Sequence, residues 1–413
     1  MTVFERLLLP ITPILADIER NRQPHFNETH SWTLFVHILV YHFTKGFQSM
    51  RELVTGLQNA DPALHLPALP RSTISQMFTR FDPALLHLVL QRLLKTLPLP
   101  EVPELAQLGT IYLADGSHFP TLRSMVWEKS ADMVRHVKLH LVFDVGRMVP
   151  VTFLMTPPQS SERAALETML QAGVTYVLDR GYMEFALFKA IVSKQSSVVM
   201  RAYRSMVVET IEEYPVDLPI QVTNAWASVR DRLVTSSHPD MEGVLFRLVE
   251  CTIGTSIYRL MTDRTDRTTF QVILLYAYRW QIELVFRTLK WTMNGIYTIT
   301  EHERGMQSFF AALLITSLLH MHLKRDCLAQ EGHFPPTVVQ VFESQADNVQ
   351  SSTDTSRPTA HLAIACFMAN LNDIFARFWK ISKHWLHTLA AYLYRPFTED
   401  VVRILNKHAL RPS

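Results

Sequence analysis

Cysteine is nearly absent. Cys251, Cys327 and Cys366 are scattered through 413 residues, with no disulfide framework and no zinc spacing. That excludes a small disulfide-stapled or zinc-stapled fold and fits a reducing cytosol. An excess of one charge sign is missing too. The net charge is +2, so no global field announces a nucleic-acid partner. Long apolar runs are also lacking. The most apolar stretches, 33–43 and 309–321, are short and broken by His, Ser or Thr. They read as buried helices, with no membrane partner expected. No signal peptide is expected, because Glu5 and Arg6 interrupt the start and no small-residue cleavage site follows. The 18 histidines are spread out. Only His136/His140 and His320/His322 approach ligand pairs, without Cys or carboxylate partners at metal spacing.

What is present suits a multidomain globular chain. A length of 413 residues predicts two or three domains, and 48% hydrophobic residues supply ample core. Arg outnumbers Lys by 29 to 11, weak support for bidentate phosphate contacts, since a GC-rich genome gives the same bias. No internal repeat is found.

Residues 1–105 read as wholly helical, with apolar helical spacing over 30–46, 48–58 and 82–97. LPRSTISQMF (69–78) predicts a proline-marked turn and a helix capped at Ser72 or Thr73, with Gln76 closing a capping box on Thr73. Arg71, Ser72, Thr73 and Gln76 near one helix start could form a helix-turn-helix-like DNA reader, against the alternative of a plain helical bundle. Proline-rich 97–104 marks a boundary. Beyond it, TIYLAD (110–115) reads as a short buried strand. RHVKLHLVFDV (135–145) and 149–156 read as a hairpin, 161–173 as a helix, 174–182 as a strand into a tight turn, 183–193 as a helix and 196–202 as a strand. The order is β-β-β-α-β-α-β. A mostly alternating stretch, 203–266, reads as a β-rich insertion before one long helix over 268–292. A further apolar helix spans 304–330. A polar linker (345–360) and an aromatic, basic helical segment (361–393) follow.

The most informative stretch is YAYRWQIELVFRTLK. At about 100° per residue, Tyr276, Arg279, Glu283 and Lys290 share one helix face, with Arg287 among them. The apolar stripe Leu275, Ile282, Phe286, Leu289 and Met293 lies about a quarter turn away at that pitch. The polar face therefore borders the core. One carboxylate ringed by cations suits a metal and a phosphate. The plainer alternative is an i,i+4 salt-bridged surface helix, with Glu283 and Arg287 at the required spacing.

Two aspartates stand at expected strand ends, Asp115 in YLADGSHF and Asp179 in YVLDRGYMEF. Singly, each reads as a turn residue. With Glu283 they meet the need of two divalent ions for carboxylates converging from different elements.

The strand order, Asp115-Gly-Ser, Asp179-Arg-Gly-Tyr and Tyr276-x2-Arg279-x3-Glu283-x6-Lys290 resemble the DDE transposases of bacterial insertion sequences, of the insertion-sequence-four type. The resemblance implies an α/β fold with a ribonuclease-H-like mixed sheet and flanking helices. A β-rich insertion at about 203–266 would interrupt it. It further implies a helical end-binding domain (1–104), a catalytic domain (105–330), and a linker with a helical region (331–413), a candidate dimerisation element. It implies a cytoplasmic bacterial enzyme that cleaves transposon ends and transfers the 3′-hydroxyl into target DNA. Asp115, Asp179 and Glu283 would hold two Mg²⁺ ions, with Mn²⁺ able to substitute. Tyr276, Arg279, Arg287, Lys290, Arg180 and Tyr182 would contact double-stranded DNA in a homodimer. Trp226 is a candidate base-stacking residue, and a core tryptophan is the commoner reading of a lone tryptophan. Rival readings are a non-catalytic DNA-binding repressor and a general metal-dependent nuclease.

Overall fold

The computed structural model describes residues 2–24, 26–97, 105, 107–121, 136–216, 218, 227–253 and 256–330. The expectations for 98–104, Trp226 and 331–413 lie outside them. The described residues divide into two compact units. One holds those up to 97, from 118 to 138 and from 286 onward. The other holds those from 105 to 117 and from 139 to 285.

The first unit is helical. Its N-terminal helices are α1 (Val3–Leu8), α2 (Thr12–Asn21), α3 (Trp32–Lys45), α4 (Met50–Gln58), α5 (Arg71–Arg80) and α6 (Pro83–Thr96). Their starts are chemically marked. Thr2 and Glu5 form a capping box, Ser31 and Ser49 cap α3 and α4, and Asp82 caps α6 with Pro83 in the first turn. Gly46 stops α3 in a left-handed conformation at φ 65°. The capping box expected at Thr73 does not form. Pro70 is the N-cap and the helix starts at Arg71, which leaves Thr73 inside the first turn. Twelve residues, 59–70, separate α4 from α5, where a helix-turn-helix uses about three or four.

The last described helix, α11 (Glu303–Gln330), packs against α1, α3, α5 and α6. The sequence grouped it with the catalytic domain, but its apolar surface is spent on the N-terminal helices. Its 21-residue stretch Glu303–Leu323 is long and apolar enough to cross a membrane. Yet 83% of its most apolar 18-residue stretch is buried inside the protein, as in a core helix. The Thr44 hydroxyl and His320 Nε2 lie 3.3 Å apart in this core.

The second unit carries a nine-stranded sheet. Its strands are β1 (Ile111–Pro120), β2 (His136–Asp144), β3 (Val149–Thr156), β4 (Thr175–Leu178), β5 (Ser197–Arg201), β6 (Glu209–Glu213), β7 (Ala227–Thr235), β8 (Phe246–Ile253) and β9 (Ser256–Thr262). The order is β3-β2-β1-β4-β5-β9-β8-β7-β6. β1, β4 and β5 run parallel; β9 then joins β5 antiparallel. The β-rich insertion therefore extends the core sheet and is not a separate layer. Helices α7 (Glu162–Thr168) and α8 (Phe185–Ser193) follow β3 and β4. Their residues Leu166, Leu187, Phe188 and Ile191 bury one face of the sheet with Tyr112, Tyr176, Leu178, Val198 and Met200.

Three expectations are corrected. The first strand runs on to Pro120, so Asp115 lies within it and not at its end. The helix predicted over 161–173 stops at Thr168. The single helix expected over 268–292 is broken into α9 (Thr269–Tyr278), α10 (Trp280–Arg287) and a π-helical turn (Thr288–Thr292). At the break, the Arg279 N–H reaches the Tyr276 carbonyl and the Ile282 N–H reaches the Arg279 carbonyl, both three residues apart. This tightening and the later widening break the constant pitch on which the five-residue face was drawn.

Candidate active site

Strand register explains how two turn-like aspartates meet. Ile111, Tyr112 and Leu113 pair with Thr175, Tyr176 and Val177. Carried two residues further, that offset sets Asp115 level with Asp179. The β4–β5 register, Thr175 to Ser197 through Leu178 to Met200, likewise sets Arg201 level with Asp179. Side chains alternate along a strand. Tyr112, Tyr176 and Val198 face α7 and α8, so Asp115, Asp179 and Arg201 share the opposite face. That is the face on which α9 packs against β4 and β5.

Helices α9 and α10 deliver the remaining groups. The Tyr276 hydroxyl donates to Asp179 Oδ1 at 3.0 Å. The Arg279 guanidinium donates to Glu283 Oε1 at 2.6 Å. Glu283 thus pairs four residues back with Arg279, and not with Arg287 as the salt-bridged reading had it. Tyr276 and Arg279 are buried and Glu283 is half-buried.

Burial and the Arg279 charge together set the electrostatics. Burial pushes the Asp115 carboxyl up to about 7, against the pull of Arg279 and of the Gly116 N–H; Glu162 and Glu283 add to the rise. That N–H donates to Asp115 Oδ1 at 2.8 Å. Burial opposes ionisation of Asp179 as well. There Arg279, the Arg180 amide, the Tyr276 hydroxyl and Arg201 prevail, and its pKa falls below the usual carboxylate value. Burial and Asp179 raise the Tyr276 phenol. Arg279 stays firmly charged, its burial outweighed by Tyr276, Asp179 and Glu283. One buried cation therefore serves a set of carboxylates, an arrangement that marks functional sites.

The other predicted residues are dispersed. Arg180 is exposed at the turn after β4, and its backbone amide supports Asp179. Tyr182 is 2% exposed and sits in the sheet's core cluster, so burial withdraws it from direct stacking on DNA. In the helical unit, Arg287 is exposed and Lys290 is half-buried, its ammonium 5.0 Å from the Phe119 ring centroid. On α5, Arg71, Ser72 and Gln76 are exposed and Thr73 is half-buried.

Sequence reading missed two neighbours. Arg201 lies with its guanidinium 4.8 Å from the Tyr258 ring centroid and lowers the pKa of Asp179. A signal existed: SSVVMR ends an apolar run on a charged residue, as YLAD and YVLD do. Glu162, first residue of α7, raises Asp115; nothing in its local sequence sets it apart.

Carboxylate oxygens are the ligands that hard divalent cations take. Among the described residues, no three His, Cys, Asp or Glu side chains lie close enough together to hold a metal. Glu283 is engaged with Arg279 in this conformation. The donor chemistry fits a divalent ion, with Glu283 turned towards its cationic neighbour.

Residues 107–319 match the transposase DDE domain. The chain belongs to this family. In Sinorhizobium fredii, the protein named "Putative transposase y4zB" is 23% identical over 214 residues, or 51% of this chain. The match takes in 60% of that relative's length. Among solved structures, the piggyBac transposase synaptic complex with hairpin DNA overlays 89% of this chain and 83% of its own, at 10% identity and a TM-score of 0.42. Endonuclease V from Bacillus subtilis overlays 60% of this chain and 96% of its own, at 13% identity and a TM-score of 0.20. Both scores are too low to establish a shared fold. All three carboxylates, Asp115, Asp179 and Glu283, fall within the transposase DDE domain match.

Proposed function

We propose that this transposase cleaves DNA at transposon ends and joins the freed 3′-hydroxyl to target DNA. The observation that carries the reading is the level placement of Asp115 and Asp179 on adjacent parallel strands, with Arg279 acting on both and bonded to Glu283. The β3-β2-β1-β4-β5 order supports a ribonuclease-H-like core.

Asp115, Asp179 and Glu283 would hold Mg²⁺, or Mn²⁺ in its place. When bound, such ions activate water or a 3′-hydroxyl and stabilise the leaving oxygen. The chain's own groups have separate tasks. Tyr276 fixes the orientation of Asp179 by its hydrogen bond. Arg279 offsets the repulsion among the carboxylates before DNA arrives. Arg201, level with Asp179 and stacked on Tyr258, is placed to meet a phosphate. Arg287 and Lys290 supply further cations, and α5 offers Arg71, Ser72 and Gln76 for reading the end sequence. Double-stranded inverted repeats and target DNA are the partners, engaged as a homodimer in the cytoplasm.

The test is a time course on labelled transposon ends that resolves nicked, double-strand-cut and joined products. Ala at Asp115, Asp179 or Glu283 is expected to abolish cleavage and joining while retaining end binding, because phosphate contacts are separate from the metals. Full cleavage by any one variant removes that residue from the metal set. Cleavage without end preference or joining by the wild type would point to a general nuclease; binding without cleavage would point to a repressor.

A further inference from the structure

The second unit contains a buried polar cluster away from the carboxylates. Asp231 on β7 is 0% exposed, Arg247 on β8 is 3% exposed and Thr269, first residue of α9, is 2% exposed. Arg247 donates from Nε to Asp231 Oδ1 at 2.8 Å and from a terminal nitrogen to Oδ2 at 2.5 Å. The Thr269 hydroxyl donates to Asp231 Oδ2 at 2.6 Å. The remaining guanidinium nitrogen of Arg247 donates to the backbone carbonyls of Arg264, at 3.0 Å, and Arg267. A buried ion pair is an inefficient source of stability, because desolvation opposes the attraction. What it supplies here is fixed geometry: of five hydrogen bonds, two tie β8 to β7, two tie β8 to the carbonyls of Arg264 and Arg267, and one ties β7 to the first residue of α9.

The segment held in this way also touches the core strands. The Asp263 carboxylate accepts from the Val198 N–H of β5 at 2.7 Å, and Arg264 donates to the Thr175 hydroxyl of β4 at 2.6 Å. Thr175 opens the strand that leads to Asp179. From Thr269, α9 runs seven residues to Tyr276, about 10 Å of helix, so a shift at its start is carried to the Tyr276–Asp179 hydrogen bond.

We propose that Asp231, Arg247 and Thr269 are positioning residues, a buried clamp in the strand insertion that sets α9 so that Tyr276 and Arg279 meet Asp179 and Glu283. The inference rests on the function proposed above. It gives the insertion a task in the chemistry in addition to any contact with DNA.

The full chain is compared with Thr269→Val, Thr269→Ser and Asp231→Asn, with Arg230→Ala as control. Arg230, next to Asp231 on β7, forms an exposed ion pair with Glu213 of β6. Two quantities are read: single-turnover cleavage against end-DNA concentration, and amide hydrogen exchange. Thr269→Val is expected to lower the maximal rate roughly tenfold to a hundredfold, as small misplacements do, with KM little changed. Exchange should speed up over 276–283 while 175–178 and 197–201 stay protected. Asp231→Asn should act in the same direction, Thr269→Ser should restore both readouts, and Arg230→Ala should change neither. Wild-type rate and exchange in Thr269→Val overturn the clamp. So does a rate loss with exchange raised evenly over the whole sheet, which marks lost stability only. If the wild type cleaves no end DNA, the proposed function fails, and local exchange over 276–283 still decides the clamp.

Discussion

Arg279 and Arg287 are one helix spacing apart on either side of Glu283, and the structure gives them opposite environments. Arg279 is buried among carboxylates, whereas Arg287 is exposed. Removing a buried partner leaves its counter-charges uncompensated, at a cost of about 3–5 kcal/mol. Arg279→Ala is therefore expected to lower the denaturation midpoint sharply and to stop cleavage. Arg287→Ala should leave the midpoint unchanged and affect only DNA-dependent steps. Equal midpoints for the two variants, measured by urea unfolding, would contradict this division. Tyr276→Phe is a milder change. It removes one hydrogen bond to a charged group, about 1.5–3 kcal/mol, and frees Asp179 to reorient. Slower single-turnover cleavage with end binding intact is the expected readout. At this scale the sequence was legible in types and spacing: Asp115, Asp179, Tyr276, Arg279 and Glu283 could be named. Which carboxylate each cation serves was not legible, because the break in hydrogen bonding at Arg279 depends on packing that helical pitch does not encode. Arg201 and Glu162 became visible only through register and tertiary approach.

The strand insertion shows how one pairing changes the meaning of an element. An alternating stretch between two core elements reads as an appendage. Because β9 pairs with β5 along Val199, Met200 and Arg201, the insertion covers what would otherwise be a buried, unpaired strand edge. Excision of 203–262 with a short linker is expected to yield insoluble protein, since bare β5 would seek another strand. Soluble protein with native-like circular dichroism from that deletion would refute the point. The strands themselves were legible from alternation and turn residues. Their partners were not, since pairing is a long-range choice that local pattern does not record. The same limit applies to α11. Its apolar spacing announced a buried helix, but not that α1, α3, α5 and α6 would receive it.

The helical unit as a whole should be sensitive to acid. His42 and His320 are buried, and burial lowers both to about 3 from an ordinary 6.5. His42 lies against the rings of Phe43, Phe47 and Phe309, and neither of its nitrogens has a hydrogen-bond partner. Above about 6.5 both residues are neutral whether folded or unfolded, so they cost nothing through titration. As pH falls from there towards 3, the unfolded chain binds protons that the folded one refuses. Stability then declines by about 1.4 kcal/mol per pH unit for each residue. His42→Phe should reduce that slope by about 1.4 kcal/mol per pH unit and leave stability at pH 8 no lower, as measured by urea unfolding across pH 4–8. An unchanged slope would show that His42 is protonated without unfolding.

The dependence of the first helices on α11 has a consequence for synthesis. Phe43 of α3 packs against Phe309, and Leu313, Leu314, Leu318 and Leu319 of α11 are fully buried. A ribosome moving at about 5–20 residues per second needs on the order of ten to forty-five seconds to pass from residue 97 to residue 323. Throughout that interval α1 to α6 have emerged, or are emerging, without the helix that closes their core. Nascent chains stalled before residue 303 should remain open to protease over 2–97, and chains stalled well past 323 should resist. Helices α1 to α6 are thus closed only after α11 has been made, and any recognition surface they carry matures no earlier than that helix.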